Sequence, residues 1–184
     1  MDRTVVVEAP AKINLHLQVL GKRPDGFHDI LSLFQAVSLC DTLDIRIRPS
    51  GDVRVFGEFD CPEPENTIHR AARSFLTASG RPEGAQIRAV KRIPAGAGLG
   101  GGSSDAAAVL RALNRAFGDA LSGAELARLA AGIGSDVPFF LGTPCAVVGG
   151  RGEILEPADA RPDYGLVILF PGFPIGTAWA YAAV

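Results

Sequence analysis

Five glycines fall within seven positions in the stretch Pro94-Ala95-Gly96-Ala97-Gly98-Leu99-Gly100-Gly101-Gly102-Ser103-Ser104-Asp105. A segment so short of Cβ atoms is a poor helix or strand, but its backbone amides can curl around an anion. Its flanks are ordered by pattern. Residues Gln86 to Arg92 read as a strand, and Ala106, Val109, Leu110, Leu113 and Phe117 follow helical spacing up to Gly118. A strand, a glycine bend and a helix start together form a phosphate site, because the amides converge where the helix is partly positive. Ser103 and Ser104 are expected to cap this helix and to reach a phosphate oxygen, with Lys91 and Arg92 adding positive charge upstream. Gly96, Gly98 and Gly101 satisfy G-x-G-x-x-G, but no acidic residue closes a following strand, so a dinucleotide site is disfavoured. The Gly-Lys-Ser/Thr of a Walker loop is missing, as is the His-Arg-Asp of protein kinases.

The rest of the chain supplies elements around that bend. Thr4 to Val7 is β-branched, and Ile13, Leu15, Leu17 and Val19 alternate with Lys12, Asn14, His16 and Gln18. Period two puts the aliphatic set on a core face and the polar set on the other. Leu43, Ile45 and Ile47 alternate likewise with Asp44, Arg46 and Arg48; Pro49 to Asp52 then turns the chain, and Val53 to Phe56 returns as the second arm of a hairpin. Asn66 is placed to cap a helix with an apolar stripe at Ile68, Ala71, Ala72, Phe75 and Leu76, ending before Gly80. Ser122-Gly123-Ala124-Glu125 is a capping box for a helix bearing Leu126, Leu129, Ala130 and Ile133. Val147, Ile154 and Leu166 to Phe170 signal further strands. Hairpins followed by mixed helices and strands give an α+β class.

Composition narrows the function. Eighteen Lys and Arg against 20 Asp and Glu leave a net charge of −2, with 47% hydrophobic residues. A disordered chain is excluded, and there is no global basic field for nucleic acid. Three scattered cysteines (Cys40, Cys61 and Cys145) form neither a zinc set nor an even disulfide framework, and read as reduced, buried or half-buried thiols. No apolar run reaches the ~18 residues of a membrane span and no signal peptide is visible, so the expectation is a cytoplasmic protein. His16 and His69 read as structural, and Arg151 and Glu153 as a solvated hairpin.

Three motifs in order carry a resemblance: Pro10-Ala11-Lys12-Ile13-Asn14-Leu15 with Asp25-Gly26-Phe27-His28, the loop Pro94 to Ser104, and Gly134-Ser135-Asp136-Val137-Pro138-Phe139-Phe140. Together they resemble the GHMP kinase superfamily, within it the branch acting on a cytidine diphosphate-linked methylerythritol. The resemblance implies a fold like domain 2 of ribosomal protein S5, with residues 1–170 as the nucleotide-binding domain and 171–184 as the start of a second lobe. That lobe's own glycine-rich motif has no match here, so the chain is expected to be either part of a longer product or a shortened, non-catalytic nucleotide-binding remnant. The implied cofactors are ATP and Mg²⁺, with no metal ligand assigned within the chain and no nucleic acid or membrane partner. Asp136 would accept the hydroxyl proton, with Lys12 beside it keeping that carboxylate ionised while staying charged itself. The loop Pro94 to Ser104, Lys91 and, near the adenine, Asn66 would hold the nucleotide. Asn14, Phe27, His28, Thr177 and Tyr181 would bind the substrate, the two aromatics sandwiching cytosine.

Overall fold

The computed structural model describes residues 4–49, 51–161 and 163–173. Two long strands organise it, β1 (Thr4–Lys22) and β2 (His28–Arg48), paired antiparallel along their whole length. The opposite edge of β2 is shared. Its C-terminal half pairs antiparallel with β4 (Gly84–Val90), and its N-terminal half with β5 (Cys145–Gly149), which in turn pairs with β6 (Ile154–Pro157). Leu43, Ile45 and Ile47 are buried as their alternation predicts. They pack against α1 (Thr67–Ala78) and α2 (Gly101–Ala116), which with α3 (Gly123–Ile133) and α4 (Val137–Gly142) complete the core.

Local signals are borne out closely. The buried face of α1 is Ile68, Ala71, Ala72, Phe75 and Leu76, its start is capped by Asn66 Oδ1 accepting from Ile68 N at 2.9 Å, and Gly80 beyond its end has φ +62°. The Ser122–Glu125 capping box opens α3, where Ala130 and Ile133 are buried and Leu126 and Leu129 half-buried.

Four sequence expectations fail, each for a non-local reason. Strand β3 (Val53–Phe56) is not a hairpin arm of β2; it pairs parallel with β4, and α1 makes the crossover between them. That places β4 between β3 and β2. Strand β4 also starts and ends two residues earlier than expected, so Lys91 and Arg92 lie beyond its last ladder residue. In β1 the alternation breaks past Asn14, where Leu15 is one extra residue opposite β2 and shifts the faces downstream. Leu15 and Leu17 are therefore exposed. Lys12 keeps the face it shares with Asn14 but is buried at 6% exposure, because the glycine loop packs over it. Residues Leu166 to Phe170 form no strand, and Val167 and Leu169 are almost fully exposed. Cys145 is buried and Cys40 half-buried, but Cys61 is exposed; all three are free thiols. Among the described residues no helix is long and apolar enough to cross a membrane.

Candidate active site

A cleft of about 1050 Å³ opens where β1, the turn between β1 and β2, the glycine loop and the start of α4 meet. Residues Gly96 to Ser103 of the loop line it, opposite Lys12, Asn14, Phe27, His28, Ser135, Asp136 and Arg151. Gly96, Gly98 and Gly100 all have left-handed backbones, with φ between +66° and +72°. Gly100 has a second reason to be glycine: a Cβ there would stand 3.0 Å from the Phe140 ring and 3.1 Å from Lys12 Cγ. The loop is tied to β1 by Lys12 N donating to the Leu99 carbonyl at 2.9 Å. Because α2 starts at Gly101, the amides of its first turn have no intrahelical acceptor and are available to an anion.

Ser103 and Ser104 do not cap α2. The helix begins three residues earlier than a Ser103 cap would require, with Gly100 at the cap, so both serines lie inside the first turn. Ser103 lines the cleft, whereas Ser104 is buried. Pro94 and Ala95 are not among the lining residues either.

Lys12 and Asp136 converge. Lys12 Nζ lies 3.6 Å from Asp136 Oδ2, donates to Asn14 Oδ1 at 2.7 Å and sits 4.4 Å from the centre of the Phe34 ring. Asn14 Nδ2 donates to Ser32 Oγ at 2.9 Å, and Ser32 Oγ donates to the His16 carbonyl, so the amine is held through a chain anchored on two strands. Asp136 occupies the position before α4, yet its carboxylate makes no capping bond to that helix and remains turned to the cleft. Burial lowers the Lys12 pKa more than the neighbouring Asp136 raises it.

The aromatic side of the cleft is set by the turn after β1. Gly26 has φ +85°, Asp25 Oδ1 accepts from Phe27 N at 3.1 Å, and Arg23 donates to Asp25 and Asp29. Phe27 is therefore displayed with 53% of its surface exposed. The Arg151 guanidinium lies 4.3 Å from its ring centre. The β5–β6 turn is a solvated hairpin, with Arg151 exposed, but strand pairing also brings Arg151 to the cleft, which local pattern cannot show. Glu153 supports that turn by accepting from Arg151 N.

Two expected nucleotide residues are otherwise engaged. Asn66 is 4% exposed and its side-chain oxygen caps α1, while its neighbour Thr67 lines the cleft. Asn66→Ala is expected to cost about 1–2 kcal/mol of folding stability, the worth of a buried cap, measurable by denaturant unfolding. Lys91 points away from the cleft and bridges the buried carboxylates of Asp41 and Asp105, so it adds no free positive charge beside the loop. Thr177 and Tyr181 lie outside the described residues.

Comparisons with known proteins agree with this arrangement. Residues 66–143 match the GHMP kinases N terminal domain. The chain carries the N-terminal domain of the GHMP kinases. Over nearly its whole length it is similar to 4-diphosphocytidyl-2-C-methyl-D-erythritol kinases. It is 43% identical to that of Geobacter metallireducens over 184 residues, covering 99% of this chain and 66% of the relative. It is 48% identical to that of Methylacidiphilum infernorum over 177 residues, covering 94% and 61%. A crystal structure of 4-(cytidine 5'-diphospho)-2C-methyl-D-erythritol kinase superposes with a TM-score of 0.81 at 41% identity, covering 98% of this chain and 64% of that one. Mevalonate kinase from Methanococcus jannaschii, 15% identical with a TM-score of 0.61, shares the fold. The chain spans 66% and 61% of the length of the two curated relatives named.

Proposed function

We propose that this chain provides the nucleotide- and substrate-binding lobe of a kinase that transfers the γ-phosphoryl group of ATP to the 2-hydroxyl of 4-diphosphocytidyl-2-C-methyl-D-erythritol. That reaction belongs to non-mevalonate isoprenoid precursor synthesis. The observation that carries the reading is the Lys12–Asp136 pair, 3.6 Å apart, facing an amide-lined glycine loop across one cleft. Phosphoryl transfer asks a protein mainly for positioning and charge stabilisation. Here Asp136 takes the proton of the attacking hydroxyl, and Lys12 balances negative charge on the group in flight. The resulting oxygen–phosphorus bond replaces the one to ADP.

The loop fits a triphosphate because its glycines leave room that a Cβ at Gly100 would fill, and because the first-turn amides of α2 are oriented donors. Among the described residues no group of three or more His, Cys, Asp or Glu is placed to hold a metal. Mg²⁺ bound together with the nucleotide would neutralise charge on its phosphates, and the Ser103 hydroxyl in the cleft could help hold it. Phe27 offers a stacking face and His28 a polar edge for cytosine, while Arg151 gives a cation beside them for the diphosphate. The boundary near residue 170 between this lobe and the next, and a cytoplasmic location, belong to the same proposal.

The test is to incubate the chain with ATP and 4-diphosphocytidyl-2-C-methyl-D-erythritol, then mevalonate or homoserine, and to follow ADP and phosphorylated product. Product from the cytidylyl substrate alone is expected. Turnover of mevalonate or homoserine instead would reassign the substrate, and ATP binding with no turnover of any would leave a nucleotide-binding lobe.

A further inference from the structure

We infer that Asp41 and Lys91 are positioning residues that clasp the two ends of the glycine loop and so set its shape for the nucleotide. This rests on the nucleotide reading of that loop. Asp41, on β2, has no exposed surface. Its Oδ1 accepts from Arg92 N at 2.5 Å and from Ile93 N at 2.9 Å, the last two amides before Pro94. Its Oδ2 accepts from Lys91 Nζ, which also donates to Asp105 Oδ2 at 2.5 Å, in the second turn of α2. The segment leading into the loop and the helix leading out of it are thus bound to one buried carboxylate and one shared ammonium. The packing is close: a Cβ at Gly101 would stand 3.0 Å from Ile93 and 3.5 Å from Asp41 Oδ2.

Such a cluster is a poor device for stability alone. Two buried carboxylates share one ammonium, and Asp105 Oδ1 and Ser104 Oγ are buried without a hydrogen-bond partner. Burial outweighs the pull of Lys91 and raises the Asp105 carboxyl to about 6. Apolar replacements of comparable buried clusters are often neutral or stabilising, so a cluster like this is better explained by the geometry it enforces. What it holds here is the spacing between Ile93 and Gly101, across which Gly96, Gly98 and Gly100 make their left-handed bends.

The experiment titrates the wild-type chain and the variants Asp41→Ala, Asp41→Asn and Lys91→Met with ATP and, separately, with cytidine diphosphate, and follows deuterium exchange of amides 96–103. In Asp41→Ala and Lys91→Met the ATP Kd is expected to rise about tenfold or more, the scale of a lost charge-assisted hydrogen bond. The cytidine diphosphate Kd should stay within about twofold, since that side of the cleft shares no partner with the clasp. Loop amides should exchange faster in both variants. Asp41→Asn should recover only part of the lost ATP affinity, because its amide oxygen still accepts from Arg92 and Ile93 while its amide nitrogen cannot accept from Lys91. If Asp41→Ala does not fold, Lys91→Met decides. Unchanged ATP affinity and exchange, or parallel loss of both ligands, would overturn the clasp. A wild-type chain that binds no ATP would instead overturn the kinase reading, and the exchange rates would still report whether the clasp shapes the loop.

Discussion

Asp136→Asn is expected to abolish phosphoryl transfer, lowering turnover about 10²–10⁴-fold, the usual worth of a positioned general base. The substitution keeps the size of the side chain, and its amide oxygen can still accept from Lys12, so the cleft should keep its shape. In the proposed kinase the loop amides hold ATP without Asp136, so its dissociation constant should stay within about twofold of wild type, as expected for sites without shared partners. Initial rates at saturating ATP, beside calorimetric ATP binding, separate the two effects. Unchanged turnover would remove Asp136 from the role of base.

The second large effect is expected at Lys12→Met. Methionine replaces the buried stem with comparable apolar volume against Phe34, so the loss should fall on chemistry rather than folding. Removing one preorganised electrostatic donor costs about 10²–10³-fold in turnover. The pH profile supplies an independent check. Burial holds the Lys12 pKa below the ordinary lysine value. A lowered pKa means the amine loses its charge at a lower pH than a solvated lysine would, so the wild-type rate should fall on the alkaline side before the ordinary lysine range, ~10.4, is reached. In Lys12→Met that alkaline limb should be absent from the residual activity. A wild-type rate that stays level through that range would contradict a charged Lys12 in the transition state.

How far the fold could be read from the chain depended on how local each determinant is. The stripe of α1 and its Asn66 cap are fixed by residues within one helix, and both are found as spaced. The glycine loop is likewise local, since composition alone dictates its backbone. By contrast, β3 resembles a hairpin arm in sequence because Pro49 to Asp52 are turn-forming residues; its partner is chosen by the α1 crossover, which no short window contains. The face of β1 was misread past Asn14, where the extra residue Leu15 shifts the phase by one and leaves Leu15 and Leu17 exposed. Lys12, Asn14 and Asp136, expected together from the sequence, do meet in one cleft, but Arg151 was not expected there, because its place beside Phe27 follows from strand pairing. Lys91 was misassigned for a similar reason: Asp41, which binds it, is distant in sequence, and nothing near Lys91 announces the contact.

The pairing of β5 with the N-terminal half of β2 has a consequence for biogenesis. Ser32 to Gln35 meet partners at Cys145 to Val148, so this closure carries a large loop entropy and should be among the late steps of folding. Asp136 lies just before that closing strand and Lys12 in the first strand of all. A chain emerging from the ribosome therefore presents its glycine loop before the carboxylate proposed to act beside it, and the cleft is complete only with the final docking.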